Sequence, residues 1–297
     1  MTHSAPLKDA RHFILTLLAV SYLFVLLYFL FGGQWQMPGA LIVAVAYMFL
    51  PLLVSLVFVR FVHREPLRPA LRMSFRFNRW WLVAWVFPPV YALLTFFINL
   101  VMPGVSFAPG MEGMLERYGS SLTGEQLVAM QEQLASSPWM PVILGLLGGM
   151  VAGITVNAIA AFGEEAGWRG YLLRHLLPLG FWRASLIIGT VWGLWHAPLI
   201  LLGHNYPQHP VLGVFMMTLW TILLTPVLNY ITLRAKSVFA AAIFHGTLNG
   251  TLGLSILYLR GGSDLTAGAT GVAGMLALGI MNLLLWHGMK KHHLPVV

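Results

Sequence analysis

Long apolar runs broken by short charged stretches dominate the chain, and each run is long enough, at about 20 residues, to cross a bilayer as a helix. The pattern predicts about eight spans: Phe13–Phe31, Ala40–Val62, Trp80–Met102, Met140–Gly163, Ala184–Gly203, Val211–Ile231, Val238–Leu257 and Ala269–Trp286. The first run lacks a small-x-small exit and reads as a span, not as a cleavable signal. Between spans three and four, "RYGSSLTGEQLVAMQEQLA" has helix formers behind Thr123, a residue suited to cap a helix N-terminus. The stretch 103–139 is therefore expected to be an external loop with a short amphipathic helix.

Charge sorts the loops by side. Arg60, Arg64, Arg68, Arg72, Arg76 and Arg79 crowd the connection between spans two and three, spaced mostly as an i, i+4 stripe suited to anionic headgroups. Arg169, Arg174 and Arg183 follow span four, Arg234 and Lys236 span six, and Lys290 and Lys291 span eight. The loops at 32–39 and 204–210 contain no lysine or arginine, and 103–139 carries Glu112, Glu116, Glu125 and Glu132 against Arg117. The positive-inside rule then places both termini in the cytoplasm.

Composition agrees with a polytopic membrane protein. Hydrophobic residues make up 58% of the chain and charged residues 9%, and mean hydropathy is +0.79. The net charge of +8 is explained by the sorted loops without a nucleic-acid partner. Cysteine is absent, which excludes disulfides, thiolate catalysis and cysteine-bound metal. The expected architecture is all-α, a single membrane-embedded domain over 1–297 whose core opens to the cytoplasmic half of the bilayer.

Polar residues inside spans are costly and point to sites. Three groups stand out. In span four Gly145, Gly149 and Gly153 form a small-residue ridge that admits a close neighbouring helix, continued by Asn157, Ala161 and Glu165. Glu165 and Arg169 are four apart in the favourable acid-before-base order, so an ion pair is expected. Glu164 projects about 100° away with no partner at helical spacing; a partly buried carboxylate of that kind suits a general base.

Trp192 and His196 share a face of span five, ahead of Pro198, which is expected to kink the helix and free a carbonyl. His245 and Asn249 share a face of span seven. Alone, either pair serves helix packing as well as chemistry; together the three groups bring polar side chains to the cytoplasmic half from separate helices. Asn99, Asn229 and Asn282 read as interhelical hydrogen-bonders, His204, His209, His287, His292 and His293 as solvated, and Trp35, Trp80, Trp81, Trp139 and Trp286 as an interfacial belt.

Written in order, E-E-x-x-x-R (Glu164, Glu165, Arg169), W-x-x-x-H (Trp192, His196) and H-x-x-x-N (His245, Asn249) resemble the CPBP or Abi superfamily, the CAAX protease and bacteriocin-processing family. The resemblance spans about 140–257, the motif-bearing core, and departs from it in having Trp192 where phenylalanine is common. It implies an intramembrane glutamic endopeptidase without cofactor. Glu164 and His196 would activate water, His245 and Asn249 would hold the oxyanion, and Glu165, Arg169 and Trp192 would support them.

Expected partners are membrane lipids and a membrane-associated peptide, whether prenylated or small and bacteriocin-like, in a bacterial or archaeal cytoplasmic membrane. The readings that compete with this one are a zinc protease ligated by Glu164, His196 and His245, a non-catalytic immunity or scaffold protein, and a transporter.

Overall fold

The computed structural model describes residues 4–36, 39–113, 115 and 124–291. Helices α1 (Ser4–Leu30), α2 (Gly39–Met48), α3 (Leu50–Val57), α4 (Leu67–Ala70) and α5 (Arg79–Leu100) form the first half. After strand β1 (Val105–Phe107) come α6 (Gly124–Ser136), α7 (Met140–Ile154), α8 (Val156–Glu165), a π-helical segment (Ala166–Leu172) and α9 (Leu173–Leu176). The chain continues through α10 (Phe181–Trp195), α11 (Ala197–Leu201), α12 (Pro210–Ala235), α13 (Val238–Thr251), strand β2 (Leu259–Gly261) and α14 (Val272–Lys291). The protein is an all-α polytopic membrane protein. The three-residue strands pair antiparallel, Ser106 opposite Arg260, as a small ribbon that the apolar pattern did not predict.

Six helical stretches are long and apolar enough to cross a membrane, or seven if α7 and the helix after it count as one span bent by 52°. The outer surface suits lipid: Leu30, Phe61, Ile159, Phe215 and Leu284 are each at least 61% exposed.

Two expected spans differ from the pattern. Span four breaks at Thr155, whose hydroxyl donates to the Val151 carbonyl at 2.8 Å; such back-bonding competes with the helical ladder and bends it. Span seven is the 14-residue α13, tightened into a 3-10 turn at Leu252–Ser255. It packs against α5, α7, α8 and α12, and ten of its 14 residues are buried, as in a helix enclosed by others. Ser237 caps its start, accepting from the Phe239 amide at 3.1 Å.

The small-residue ridge does face a helix. A Cβ on Gly149 would stand 2.3 Å from the Gly250 carbonyl, and one on Gly153 would stand 2.2 Å from Thr247 Oγ1. Asn157 extends the contact by donating to the Gly246 carbonyl at 3.2 Å. The backbones of α7, α8 and α13 therefore touch, and α13 carries His245 and Asn249 along with it.

The intramembrane asparagines behave as expected. Asn99 donates to Ser255 O and accepts from the Gly268 amide; Asn229 donates to Ser185 Oγ at 3.0 Å, and Asn282 to Leu223 O at 2.7 Å. Trp81 departs from the belt reading, being 8% exposed against Phe75 and Phe77.

The arginine ladder is not one helical stripe. Pro66 and Pro69 interrupt it, and Arg64 and Arg72 adopt left-handed φ of 55°. Glu65 there grips Arg174 with both carboxylate oxygens. That hydrogen bond, and secondarily the guanidinium charge, hold the Glu65 carboxyl below the usual carboxylate range.

A carboxylate depressed on folding stabilises above the unfolded glutamate value, about 4.3, and that stability is lost as pH falls through the folded value. Both side chains are more than a third exposed, so the pair is worth at most about 1 kcal/mol. Acid unfolding below pH ~4 is expected to show this component in the native protein and to lack it in Glu65→Gln, as followed by thermal melts across pH.

The expected cap Thr123, with Glu116, Arg117, His292 and His293, lies outside the described residues. Of the stretch 117–135 expected to be an amphipathic helix, the described part, from Gly124 on, lies in α6.

Candidate active site

The two neighbouring glutamates occupy the last turn of α8, where the chain passes into the π-helical segment. Such a widened turn disturbs the regular ladder and is frequent at functional sites. Gly163 and Gly167 let this stretch lie directly on the α2–α3 junction, since added Cβ atoms would meet Met48 O at 2.6 Å and Pro51 Cβ at 2.5 Å. Both carboxylates are buried, Glu164 at 2% and Glu165 at 0% exposure.

Glu165 and Arg169 form the expected ion pair at 3.1 Å, with both side chains fully buried. The same oxygen, Glu165 Oε1, also accepts from His245 Nδ1 at 2.8 Å. Spacing along a single helix did not reveal this link to α13. Arg169 further donates to Thr225 Oγ1 at 3.4 Å and stacks its guanidinium 4.3 Å from the Trp192 ring centroid.

Glu164 does have a partner, on another helix: Trp192 Nε1 donates to its Oε2 at 2.8 Å. The expectation that it stands unpaired is therefore corrected; helical spacing finds partners only within one helix. Its Oε1 is the oxygen left for other chemistry.

His196 sits where α10 ends and α11 begins. Its Nδ1 donates to the Trp192 carbonyl at 2.8 Å. A carbonyl only accepts, so the ring proton is on Nδ1 and Nε2 keeps its lone pair. Pro198 lacks the amide that would bond to Leu194 O. Tyr22 Oη donates to that carbonyl at 2.7 Å and Tyr47 Oη to Trp195 O at 2.6 Å, so the freed groups are satisfied.

Trp195 stacks on Tyr47 at 4.3 Å and donates its indole N–H to Ser21 Oγ. These contacts fix the turn that carries His196. The sequence signal for these contacts is Ser21, Tyr22 and Tyr47, polar groups inside apolar runs.

Glu164, Trp192, His196, His245 and Asn249 all line one cavity of about 490 Å³, with Asn157 and Tyr47. Leu41 and Val45 of α2 line it too and are 55% and 38% exposed, so one wall reaches the outer apolar surface. His204, expected to be solvated, belongs to the same lining and meets Trp35 edge-on at 6.2 Å. Burial pushes its imidazole below the ordinary value, which keeps it neutral. Glu165 and Arg169 stand behind the wall and do not line the cavity.

Glu164, His196 and His245 are the residues that the zinc reading requires to converge. Among the described residues one set of three histidine or carboxylate ligand atoms lies within 4.8 Å of one another, and it is Asp9, His63 and His175. Glu164, His196 and His245 do not form such a set in this structure.

Residues 138–251 match the family described as type II CAAX prenyl endopeptidase Rce1-like. A CAAX prenyl protease 2 from Methanococcus maripaludis is 33% identical over 101 residues, which is 31% of this chain and 36% of that relative. The match thus spans little more than a third of the curated relative's length. The family match at residues 138–251 holds every residue named in the three motifs, and over that segment the chain is similar to the CAAX prenyl endopeptidases.

Proposed function

We propose that the protein is a metal-independent glutamic endopeptidase acting inside the membrane on a membrane-associated peptide. One observation carries this reading: Glu164, His196, His245 and Asn249, from three separate stretches of helix, line a single cavity. Water held between Glu164 and the lone pair of His196 Nε2 attacks the scissile carbonyl carbon while Glu164 takes its proton. The carbonyl oxygen becomes an oxyanion, met by the Asn249 amide and by His245 Nε2–H. The C–N bond then breaks and Glu164 returns the proton to the leaving amine.

The hydrogen bonds assign the supporting work. His245 Nδ1 is committed to Glu165, so Nε2 carries a proton only when the ring is an imidazolium. Glu165 is then the counter-charge that sustains it, and Arg169 prevents that carboxylate from swinging away. Trp192 orients Glu164 through its indole N–H. These three are positioning residues.

The apolar wall at Leu41 and Val45 suits a substrate that arrives through lipid, and the prenyl protease relative suggests a lipidated tail. By the positive-inside rule the arginine-rich loops and both termini face the cytoplasm. The stretch 140–257 would then be the catalytic core, and the segment 103–139 an external cap.

The test is incubation of purified protein in lipid nanodiscs with a farnesylated peptide and its unmodified twin, products being identified by mass spectrometry. An internal cleavage of the farnesylated peptide, insensitive to a chelator, is expected. Failure of a folded, monodisperse sample to cut either peptide would overturn the proposal.

A further inference from the structure

A second polar cluster lies away from the cavity, on the arginine-rich face. It gathers Asp9 of α1, His63 just after the π turn that ends the second span, and His175 of α9. One ligand atom from each lies within 4.8 Å of the other two. Donors around a tetrahedral zinc ion, at about 2.0–2.1 Å each, stand ~3.3 Å apart, so closure asks for shifts of roughly 1.5 Å or less. Asp9 and His63 are half-buried and His175 is 9% exposed.

The histidines are already oriented as ligands are. His175 Nδ1 donates to the Tyr171 carbonyl at 2.8 Å, which fixes the proton there and leaves Nε2 as a lone pair. His63 Nε2 lies 2.8 Å from the hydroxyl of the same tyrosine. One residue therefore engages one ring nitrogen of each histidine and leaves the other free, the outer-shell arrangement typical of metal-bound imidazoles. The His63 and His175 rings are stacked, with centroids 5.8 Å apart.

Neighbouring charge also favours Asp9 as a ligand. Arg174, beside His175, is occupied by both oxygens of Glu65, and no ion pair joins Asp9 to a lysine or arginine among the described residues. Lys8, Arg11 and Arg174 make the surroundings basic. Two imidazoles with one carboxylate offer too few oxygens to suit calcium or magnesium and favour a borderline ion that accepts imidazole nitrogen.

We propose that Asp9, His63 and His175 form a divalent transition-metal site of the zinc type, tying α1 to the second span and to α9. The metal is structural. Tyr171, which organises both histidines, lies in the same π-helical segment as Arg169, so the site braces the segment behind the glutamates.

The test uses untagged, full-length protein stripped with a chelator, given zinc and assayed by elemental analysis, with cobalt absorption as a second probe. One equivalent is expected in the native protein and in His196→Ala. Affinity should fall at least tenfold in His63→Gln and in Asp9→Asn, each checked for monodisperse elution. Native protein that binds no zinc would overturn the proposal. So would binding unchanged in both variants, or binding lost in His196→Ala, which would move the metal to the large cavity.

Discussion

Replacing Glu164 by glutamine is expected to lower peptide cleavage by about 10³-fold or more, the loss typical of removing a general base at its upper range. The protein should remain folded. Glutamine keeps a side-chain oxygen for the Trp192 indole N–H, so the 2.8 Å contact survives, and a buried carboxylate becomes a neutral amide. Product formation by mass spectrometry, with thermal unfolding as the fold control, separates chemistry from collapse. Cleavage at the native rate would remove Glu164 from the mechanism, whatever the fate of the other residues.

The largest loss of stability is expected from Arg169→Met. Arg169 and Glu165 are both fully buried, and methionine would leave a carboxylate in the core with only His245 to answer it. Breaking a buried pair from one side costs about 3–5 kcal/mol, largely the penalty of the stranded charge. Neutralising Glu165 as well, in Arg169→Met with Glu165→Gln, should recover most of that loss. The measurement is the half-life of monodisperse protein in detergent at fixed elevated temperature, because membrane proteins commonly unfold irreversibly. A double variant no more stable than Arg169→Met would show that the guanidinium matters for its contacts with Thr225 and Trp192, not for its charge.

What the sequence made legible was whatever repeats along one helix. The glycine ridge, the Glu165–Arg169 pair and the interhelical asparagines all follow from small or polar residues at regular spacing in an apolar run. Contacts between helices did not follow. Nothing in the spacing tells that Trp192 reaches Glu164, or that His245 shares an oxygen with Arg169.

The break at Thr155 was hidden because threonine interrupts no apolar pattern, while its hydroxyl bends the backbone. The enclosure of the seventh run by other helices was hidden for a related reason: hydropathy records that a segment avoids water and not whether lipid or protein surrounds it. The Asp9, His63 and His175 cluster joins residues more than 50 and more than 100 positions apart, beyond the reach of any local pattern.

The enclosure of α13 bears on what holds the site together. Its 14 residues are fewer than the roughly 20 that cross a bilayer on their own, so contacts with α5, α7, α8 and α12 keep it in place. Because His245 and Asn249 ride on it, the place of both in the cavity depends on how those neighbours pack.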